Sequence, residues 1–316
     1  MSLLSIFATA ILPVVVIAMA GFALGRAKDT DPDALNTITV YVLAPALVVH
    51  SLTTSTLASG TILSVVLAVV LFTVAMFVVA EGVGRFTGHA EPLLGAFVLV
   101  SVFPNTGNYG IPLADFAFGA TGRSTAVLVT AIQGVLLYTV GIYIAARGSG
   151  GSPLADMRRV FGVPLVYAVV VALALRWLGA VPPADSTVMQ TMELLGNASI
   201  PVMLLILGIQ LSNVDGGSDF GSVGIASAMK LLLAPVLAFV AVLVVGFQNQ
   251  TVARVVVLLL ATPTGVTTII LVGAFSHQTA DRSASELVSA TVFLTTVTSA
   301  VTVTLLVWLL QSGLVF

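Results

Sequence analysis

The chain contains no cysteine among its 316 residues, which excludes disulfide bonds and thiolate metal sites. Charged residues make up only 8% of the sequence, whereas an average soluble domain carries roughly a quarter. The formal net charge is -2, and the largest basic cluster is the pair Arg158-Arg159. Nucleic acid is bound through extended basic surfaces, so we expect no nucleic-acid partner. We also expect no metal centre.

The motifs of membrane enzymes and ATP-driven pumps are also missing. The chain has only three histidines, His50, His89 and His277, and no pattern pairs a nucleophile with a base. A glycine-rich phosphate loop ending in Lys-Ser or Lys-Thr is absent. An intramembrane enzyme and a pump are therefore disfavoured, and no cofactor is expected.

Apolar residues dominate instead, at 58% of the chain with a mean hydropathy of +1.15. They occur in runs of about twenty, the length that spans the hydrocarbon core of a bilayer. The sequence therefore predicts an all-α integral membrane protein of ten transmembrane helices, embedded in the lipid bilayer. The ten segments cover about residues 3 to 25, 32 to 52, 60 to 84, 92 to 118, 123 to 145, 160 to 179, 188 to 212, 222 to 246, 254 to 276 and 285 to 310.

The basic residues between these segments predict the orientation, because short cytoplasmic loops are enriched in lysine and arginine. The richer side holds Arg26, Lys28, Arg85, Arg147, Arg158, Arg159 and Arg282. The poorer side holds Arg123, Arg176 and Arg254. We expect a multi-pass protein of the cell membrane with both termini on the extracytoplasmic side.

A weak internal repeat relates the two halves of the chain. Pro45 and Pro201 lie in the second and seventh segments, and Pro104 and Pro263 lie in the fourth and ninth, at offsets of 156 and 159 residues. Five helices per unit would give the second unit the opposite polarity in the membrane. We predict a first five-helix repeat at 1–145, a cytoplasmic linker at 146–159 and a second, inverted repeat at 160–316.

The fourth segment contains Ser-Val-Phe-Pro-Asn-Thr-Gly-Asn-Tyr-Gly-Ile-Pro at residues 101–112. Its prolines remove backbone donors, its glycines loosen the helix, and two asparagines stand where lipid-facing side chains are apolar. The ninth segment contains Ala-Thr-Pro-Thr-Gly-Val-Thr-Thr at 261–268. Both helices are therefore predicted to break and cross near the middle of the membrane. The crossover residues are Pro104, Gly107, Pro112 and Pro263.

Broken helices at that depth must be buried in protein or line a watery cavity, because unpaired backbone groups in hydrocarbon cost several kcal/mol each. The helix that begins after each break directs free amides and a positive dipole end into the cavity, and such ends attract anions. The alternative is that proline and glycine only kink two packed helices. The candidate substrate-binding residues are Asn105, Asn108, Tyr109, Gly110, Thr262, Thr264, Gly265 and Thr267.

These motifs resemble the auxin efflux carrier family, which includes plant PIN-type carriers and bacterial malonate or malate carriers. The similarity extends over essentially the whole chain. It rests on Pro104-Asn105-Thr106 with Gly110-Ile111-Pro112, on Ala261-Thr262-Pro263-Thr264-Gly265, on Leu43-Ala44-Pro45 and on Ile200-Pro201.

The resemblance implies a ten-helix inverted-repeat fold shared with bile acid sodium symporters, a scaffold domain and an elevator-like transport domain. It implies that Asn105 contacts a small organic carboxylate, such as an auxin-like acid, malonate or malate. The loop at 147–159 is short, as in the prokaryotic members. A scaffold domain of this architecture commonly forms homodimers, so a homodimer is one possible assembly. Two alternative functions are also left open, namely a sodium-coupled symporter of a larger bile-acid-like anion and a channel.

Four further polar residues within predicted spans are candidates for coupling or charge balance. Lys230 in the eighth segment would balance substrate charge or carry a proton, unless it extends to the interface. His50 at the end of the second segment would couple protons. Gln133 and Gln210 are minor candidates, because a glutamine in a membrane span more commonly forms a hydrogen bond between neighbouring helices. Coupling to Na⁺, to H⁺ or to neither is left open.

Overall fold

The computed structural model of the chain describes residues 3–28, 30–55, 59–147, 164–212, 220–276 and 283–315. These residues contain seven helices that are long and apolar enough to cross a membrane, together with three shorter apolar helices. Large apolar side chains such as Leu63, Val74 and Val78 are more than half exposed on the outside of the bundle. The prediction of an all-helical membrane protein is therefore confirmed.

We number the helical stretches in chain order. Helix α1 comprises Leu3–Ile6, Phe7–Ile11 and Leu12–Lys28, α2 comprises Asp33–Ile38, Thr39–Leu43 and Ala44–Thr53, α3 is Ser59–Phe86, and α4 is Leu93–Val102. Helix α5 comprises Thr106–Gly110 and the part of Ile111–Leu136 before Gly119, and α6 comprises the rest of Ile111–Leu136 with Leu137–Gly141 and Ile142–Ala145. Helix α7 is Pro164–Trp177, α8 is Thr187–Ser212, α9 comprises Phe220–Ala228, Met229–Leu233 and Ala234–Val245, α10 is Gln250–Leu260, α11 is Thr267–Ser276, and α12 is Ser283–Gln311.

Each predicted segment coincides with one or two of these helices. The predicted linker lies outside the described residues from residue 148 onward, and so does the start of the sixth segment at 160–163. His277, Arg158, Arg159 and Arg282 also lie outside the described residues.

The chain turns at Gly119, between α5 and α6. Gly119 has φ 61° and ψ −147°, a conformation that glycine adopts without the steric cost of a Cβ. Residues eight apart in a straight helix are separated by about 12 Å along its axis, yet Gly122 packs directly against the carbonyl oxygen of Ala114. The Arg123 guanidinium likewise reaches the Asp115 carboxylate at 2.8 Å. The fourth and fifth segments are therefore joined by a tight turn.

Of the five π-helical turns in the described part of the chain, four end two residues before a proline, at Pro13, Pro45, Pro112 and Pro235. A proline within a helix lacks an amide hydrogen, and its ring clashes with the carbonyl four residues earlier. A wider preceding turn relieves that clash and lets the helix continue. The prediction that Pro112 belongs to a break is therefore wrong, because Pro112 lies inside the continuous helix α5.

The helices pack into two sets. In the first set, α1 packs along α8, and α2 packs on α7 and α8. The second set comprises α3 to α6 and α9 to α12, where α4 packs on α3 and α12, and α10 packs on the α5–α6 hairpin. Helices α2 and α8 also contact the α5–α6 hairpin, so the boundary between the sets runs along that hairpin.

Glycines bring α1 and α8 together at the level of the backbone. A Cβ at Gly208 would collide with the carbonyl oxygen of Ala18, and a Cβ at Gly21 would collide with that of Leu205. Small residues permit this close van der Waals packing of membrane helices. Helices α1 and α8 are therefore in contact through their main chains at these glycines.

An ionic cluster ties together one end of the second set. Glu81 of α3 pairs with Arg85 at 2.6 Å and with Arg147, just after α6, at 2.7 Å. Arg147 also lies 3.6 Å from Glu91, before α4. The sequence predicts that this end faces the cytoplasm.

Candidate functional site

The two broken segments meet where their helices are interrupted. Phe103, Pro104 and Asn105 separate α4 from α5, and residues 261–266 separate α10 from α11. Pro104 and Thr264 form an antiparallel bridge, the Asn105 amide donates to the Pro263 carbonyl at 2.7 Å, and the Gly265 amide donates to the Phe103 carbonyl at 3.0 Å. The break leaves these backbone groups without helical partners, and the crossing supplies partners for them.

Gly265 allows the two chains to cross at this distance. A Cβ on Gly265 would lie 3.1 Å from the carbonyl oxygen of Pro104, which is tighter than most real Cβ contacts. The Thr264 hydroxyl adds a further link by donating to the carbonyl oxygen of Val100 in α4 at 2.8 Å. The crossing is therefore held by both main-chain and side-chain hydrogen bonds.

A cavity of about 230 Å³ lies beside the crossing, along the boundary between the two helix sets. The second set contributes Pro104 to Asn108 and Gly265 to Thr268, together with part of α6, and the first set contributes residues of α2, α7 and α8. Helices α5 and α11 both begin at this cavity, and the first turn of a helix has no intrahelical acceptors for its amides. Two helix N-termini therefore face the same space.

Four buried polar atoms of the cavity lining have no hydrogen-bond partner within the described residues. They are Asn105 Nδ2, Thr130 Oγ1, Gln133 Oε1 and Gln210 Oε1. A buried polar group without a partner costs about 1–3 kcal/mol, so such groups are normally satisfied. Their concentration around one cavity is the observation that points to a ligand.

Among the described residues, the side chains that line this cavity are all uncharged. An anion would be held there by amide, hydroxyl and backbone donors and by the dipoles of α5 and α11. Asn105 is 6% exposed, so its amide would bind within a largely dehydrated site, where such hydrogen bonds are stronger than in water.

Half of the predicted substrate-binding residues line this cavity, namely Asn105, Asn108, Gly265 and Thr267. The predicted crossover residues Pro104 and Gly107 and the coupling candidate Gln133 also line it. Gln133 donates to the Thr73 hydroxyl of α3 at 3.3 Å, which is the helix-to-helix bond that membrane glutamines commonly make.

The other four predicted substrate-binding residues do not line the cavity, and their contacts support the crossing. The Tyr109 hydroxyl accepts from Ser299 of α12 at 3.0 Å, and Gly110 packs against Leu259. The Thr262 hydroxyl donates to the Leu259 carbonyl at 2.7 Å, and Thr264 bonds Val100 as described above. These four residues are therefore not placed to contact a ligand in the cavity directly.

Several lining residues were missed as site candidates from the sequence. Asn36 comes from the first helix set, and Thr130 and Tyr138 come from α6. Gln210 of the first helix set, a minor candidate from the sequence, also lines the cavity. Isolated polar residues inside apolar spans were the available signal, but sequence spacing alone does not say which of them face one another.

Neither Lys230 nor His50 contributes to this cavity. Lys230 is completely buried, its Nζ lies 5.8 Å from the centre of the Phe72 ring, and it has no hydrogen-bond partner within the described residues. The structure therefore does not extend Lys230 to the interface. His50 lines a second cavity, of about 160 Å³, with Ser51, Thr54, Ser55, Ala120, Thr121, Arg123 and Ser124.

Comparison with known proteins relates the chain to membrane transporters. A family model described as "Membrane transport protein" matches residues 6–155 and 152–307. A protein of Rhizobium meliloti named "Putative malonate transporter" is 27% identical over 315 residues, which cover 96% of this chain and 95% of that protein. An uncharacterized transporter of Methanocaldococcus jannaschii is 23% identical over 220 residues, covering 69% of this chain and 68% of that protein.

The family match spans nearly the whole chain, and it confirms the resemblance drawn from the crossover motifs. It also assigns the chain to transport rather than to catalysis, as the missing catalytic motifs predict. The chain is a multi-pass membrane transporter, and it belongs to the membrane transport protein family, that of the auxin efflux carriers.

Proposed function

We propose that the protein is a secondary carrier of a small organic carboxylate, which binds in the cavity beside the helix crossing. The single observation that carries the proposal is the group of four unpartnered polar atoms around that cavity. The cavity volume of about 230 Å³ is below the range of roughly 300–1,000 Å³ for drug-sized ligands. A small anion therefore fits this cavity better than a bile-acid-like one.

The donors around the crossing suit a carboxylate. Asn105 Nδ2 and the Thr130 hydroxyl can each donate one hydrogen bond, and the first amides of α5 and α11 add backbone donors. Hydrogen bonds to an ionised acceptor are about twice as strong as neutral ones. The anion would thus be bound without direct contact with a cationic side chain.

Alternating access would occur between the two helix sets. In this proposal the first set is the scaffold, the second set carries the crossing, and the second moves past the first like an elevator. In this proposal the ten membrane segments, two of which are broken, form two inverted repeats, 1–145 and 160–316. The cytoplasmic linker 146–159 joins the two repeats. Both termini then lie outside the cell membrane, and the 230 Å³ cavity adjoins the cytoplasmic halves of α2, α6 and α8.

Malonate is the first substrate to test, because a relative that matches over nearly full length is named for malonate transport. Selective ligand binding stabilises the folded state, so malonate is expected to raise the Tm of the purified protein in a concentration-dependent way. In proteoliposomes, malonate uptake is expected to saturate and to show counterflow. Linear, non-saturating flux without counterflow would indicate a channel and contradict the proposal.

Lys230 is proposed to balance the substrate charge from behind the crossing. The Met229–Leu233 turn that carries it packs against α4, which leads directly into Pro104. Lys230→Met removes the ammonium with little change in volume, and it also removes the free-energy cost of burying a charge that has no partner within the described residues. We expect an unchanged or higher Tm together with slower malonate uptake. Uptake at the wild-type rate would contradict this role.

A further inference from the structure

The cavity is polar on two sides that belong to different helix sets. Three of the four unpartnered atoms, on Asn105, Thr130 and Gln133, belong to the second set. The fourth, Gln210 Oε1, belongs to α8 of the first set. A single carboxylate bound at the crossing accepts from Asn105 Nδ2 and the Thr130 hydroxyl of the second set, and it leaves the Gln210 amide without a partner.

The surroundings of Gln210 make this amide distinctive. The other lining residues from the first set are Asn36, Val40, Ala44 and Leu165, of which three are apolar. The Gln210 side chain therefore provides one of only two amides on that side of the cavity within the described residues. Its oxygen is buried, which makes an unfilled hydrogen-bonding position costly.

We infer that Gln210 is a specificity-determining residue that binds the second polar end of the substrate, which makes the ligand a short dicarboxylate rather than a monocarboxylate. The inference rests on the proposed function, in which the first carboxylate is bound at the crossing. Rotation of the amide exchanges its oxygen and nitrogen, so Nε2 can donate to an ionised second carboxylate. Gln210 and the crossing together hold the two ends of one ligand.

The test compares malonate with propionate, which has the same number of carbon atoms but only one carboxylate. Dissociation constants are measured by titration calorimetry for the wild type, for Gln210→Met and for Asn105→Ala. Gln210→Met preserves the length of the side chain and removes only its amide. Gln190→Met is the matched control, because Gln190 lies on the same helix, is exposed at the far end of α8, and does not line the cavity.

We expect Gln210→Met to weaken malonate binding at least tenfold, the order lost with one charge-assisted hydrogen bond, and to change propionate binding less than twofold. Gln190→Met should leave both constants unchanged. A second variant, Gln210→Asn, keeps an amide but withdraws it by one methylene, and it should also lose malonate affinity while remaining folded.

The inference would be overturned if Gln210→Met bound malonate as tightly as the wild type, or if it lost equal affinity for malonate and propionate. Either result would indicate that the Gln210 amide does not bind the substrate. Such a result would leave the proposed function standing if Asn105→Ala still weakened malonate binding. If Asn105→Ala also bound malonate as the wild type does, the proposed function would fail with it.

Discussion

Asn105→Ala is expected to reduce carboxylate uptake by about tenfold or more without unfolding the protein. The substitution removes a donor, Asn105 Nδ2, that is buried in the cavity wall and has no partner within the described residues. It preserves the two main-chain bonds of this residue, from its own amide to Pro263 and from the Gly110 amide to its carbonyl. Uptake of radiolabelled malonate in proteoliposomes, at matched protein density, measures the effect.

Two controls make this result specific. The Tm of Asn105→Ala without ligand should lie close to that of the wild type, because the crossing keeps its backbone contacts. Gln190→Ala, an exposed amide outside the cavity, should transport at the wild-type rate. Wild-type uptake by Asn105→Ala would remove the cavity from the transport path.

Gly208→Val is expected to prevent stable folding. Even one Cβ at Gly208 would collide with the main chain of Ala18, and a backbone cannot rotate away as a side chain can. Overpacking in a tight core costs about 1–3 kcal/mol, and a clash with main chain lies at or above the upper end of that range. A large drop in Tm and loss of the monodisperse peak in size-exclusion chromatography are the expected results.

Gly224→Val is the matched control for this substitution. Gly224 is also a helical glycine, on the exposed side of α9, and a Cβ there would meet no atom within 4 Å. The same side chain should therefore be tolerated at this position. If Gly208→Val were as stable as Gly224→Val, the close contact of α1 with α8 would not contribute to stability.

The helix breaks were predictable from the sequence because their cause is local. Pro104 and Pro263 lack amide hydrogens, and the flanking glycines and amides do not favour a continuous helix in lipid. The same local reasoning failed at Pro112, where a π-helical turn at Thr106–Gly110 accommodates the ring. A proline in a membrane span therefore predicts a local change of helix geometry, and a break requires further disruption around it.

The lining of the cavity was only partly predictable, because it depends on which way each side chain turns after the chains have crossed. Asn105 and Thr267 face the cavity, whereas the hydroxyls of Thr262 and Thr264 bond backbone carbonyls. Gln210 lies more than a hundred residues from Asn105, and only the packing of α8 brings it to the same space. Sequence spacing carries no information about that encounter.

The glycine contact between α1 and α8 determines where conformational change can be absorbed. Two main chains in direct contact cannot repack by exchanging side-chain rotamers. The α1–α8 contact therefore has one packing arrangement and is rigid. The contact along the α5–α6 hairpin is of a different kind. It includes the exposed hydrogen bond from Arg123 to Asn197 at 2.7 Å, which can break and form again at little cost. In the proposed transport cycle, movement would therefore occur in the layer that contains the cavity, while the α1–α8 contact stays unchanged.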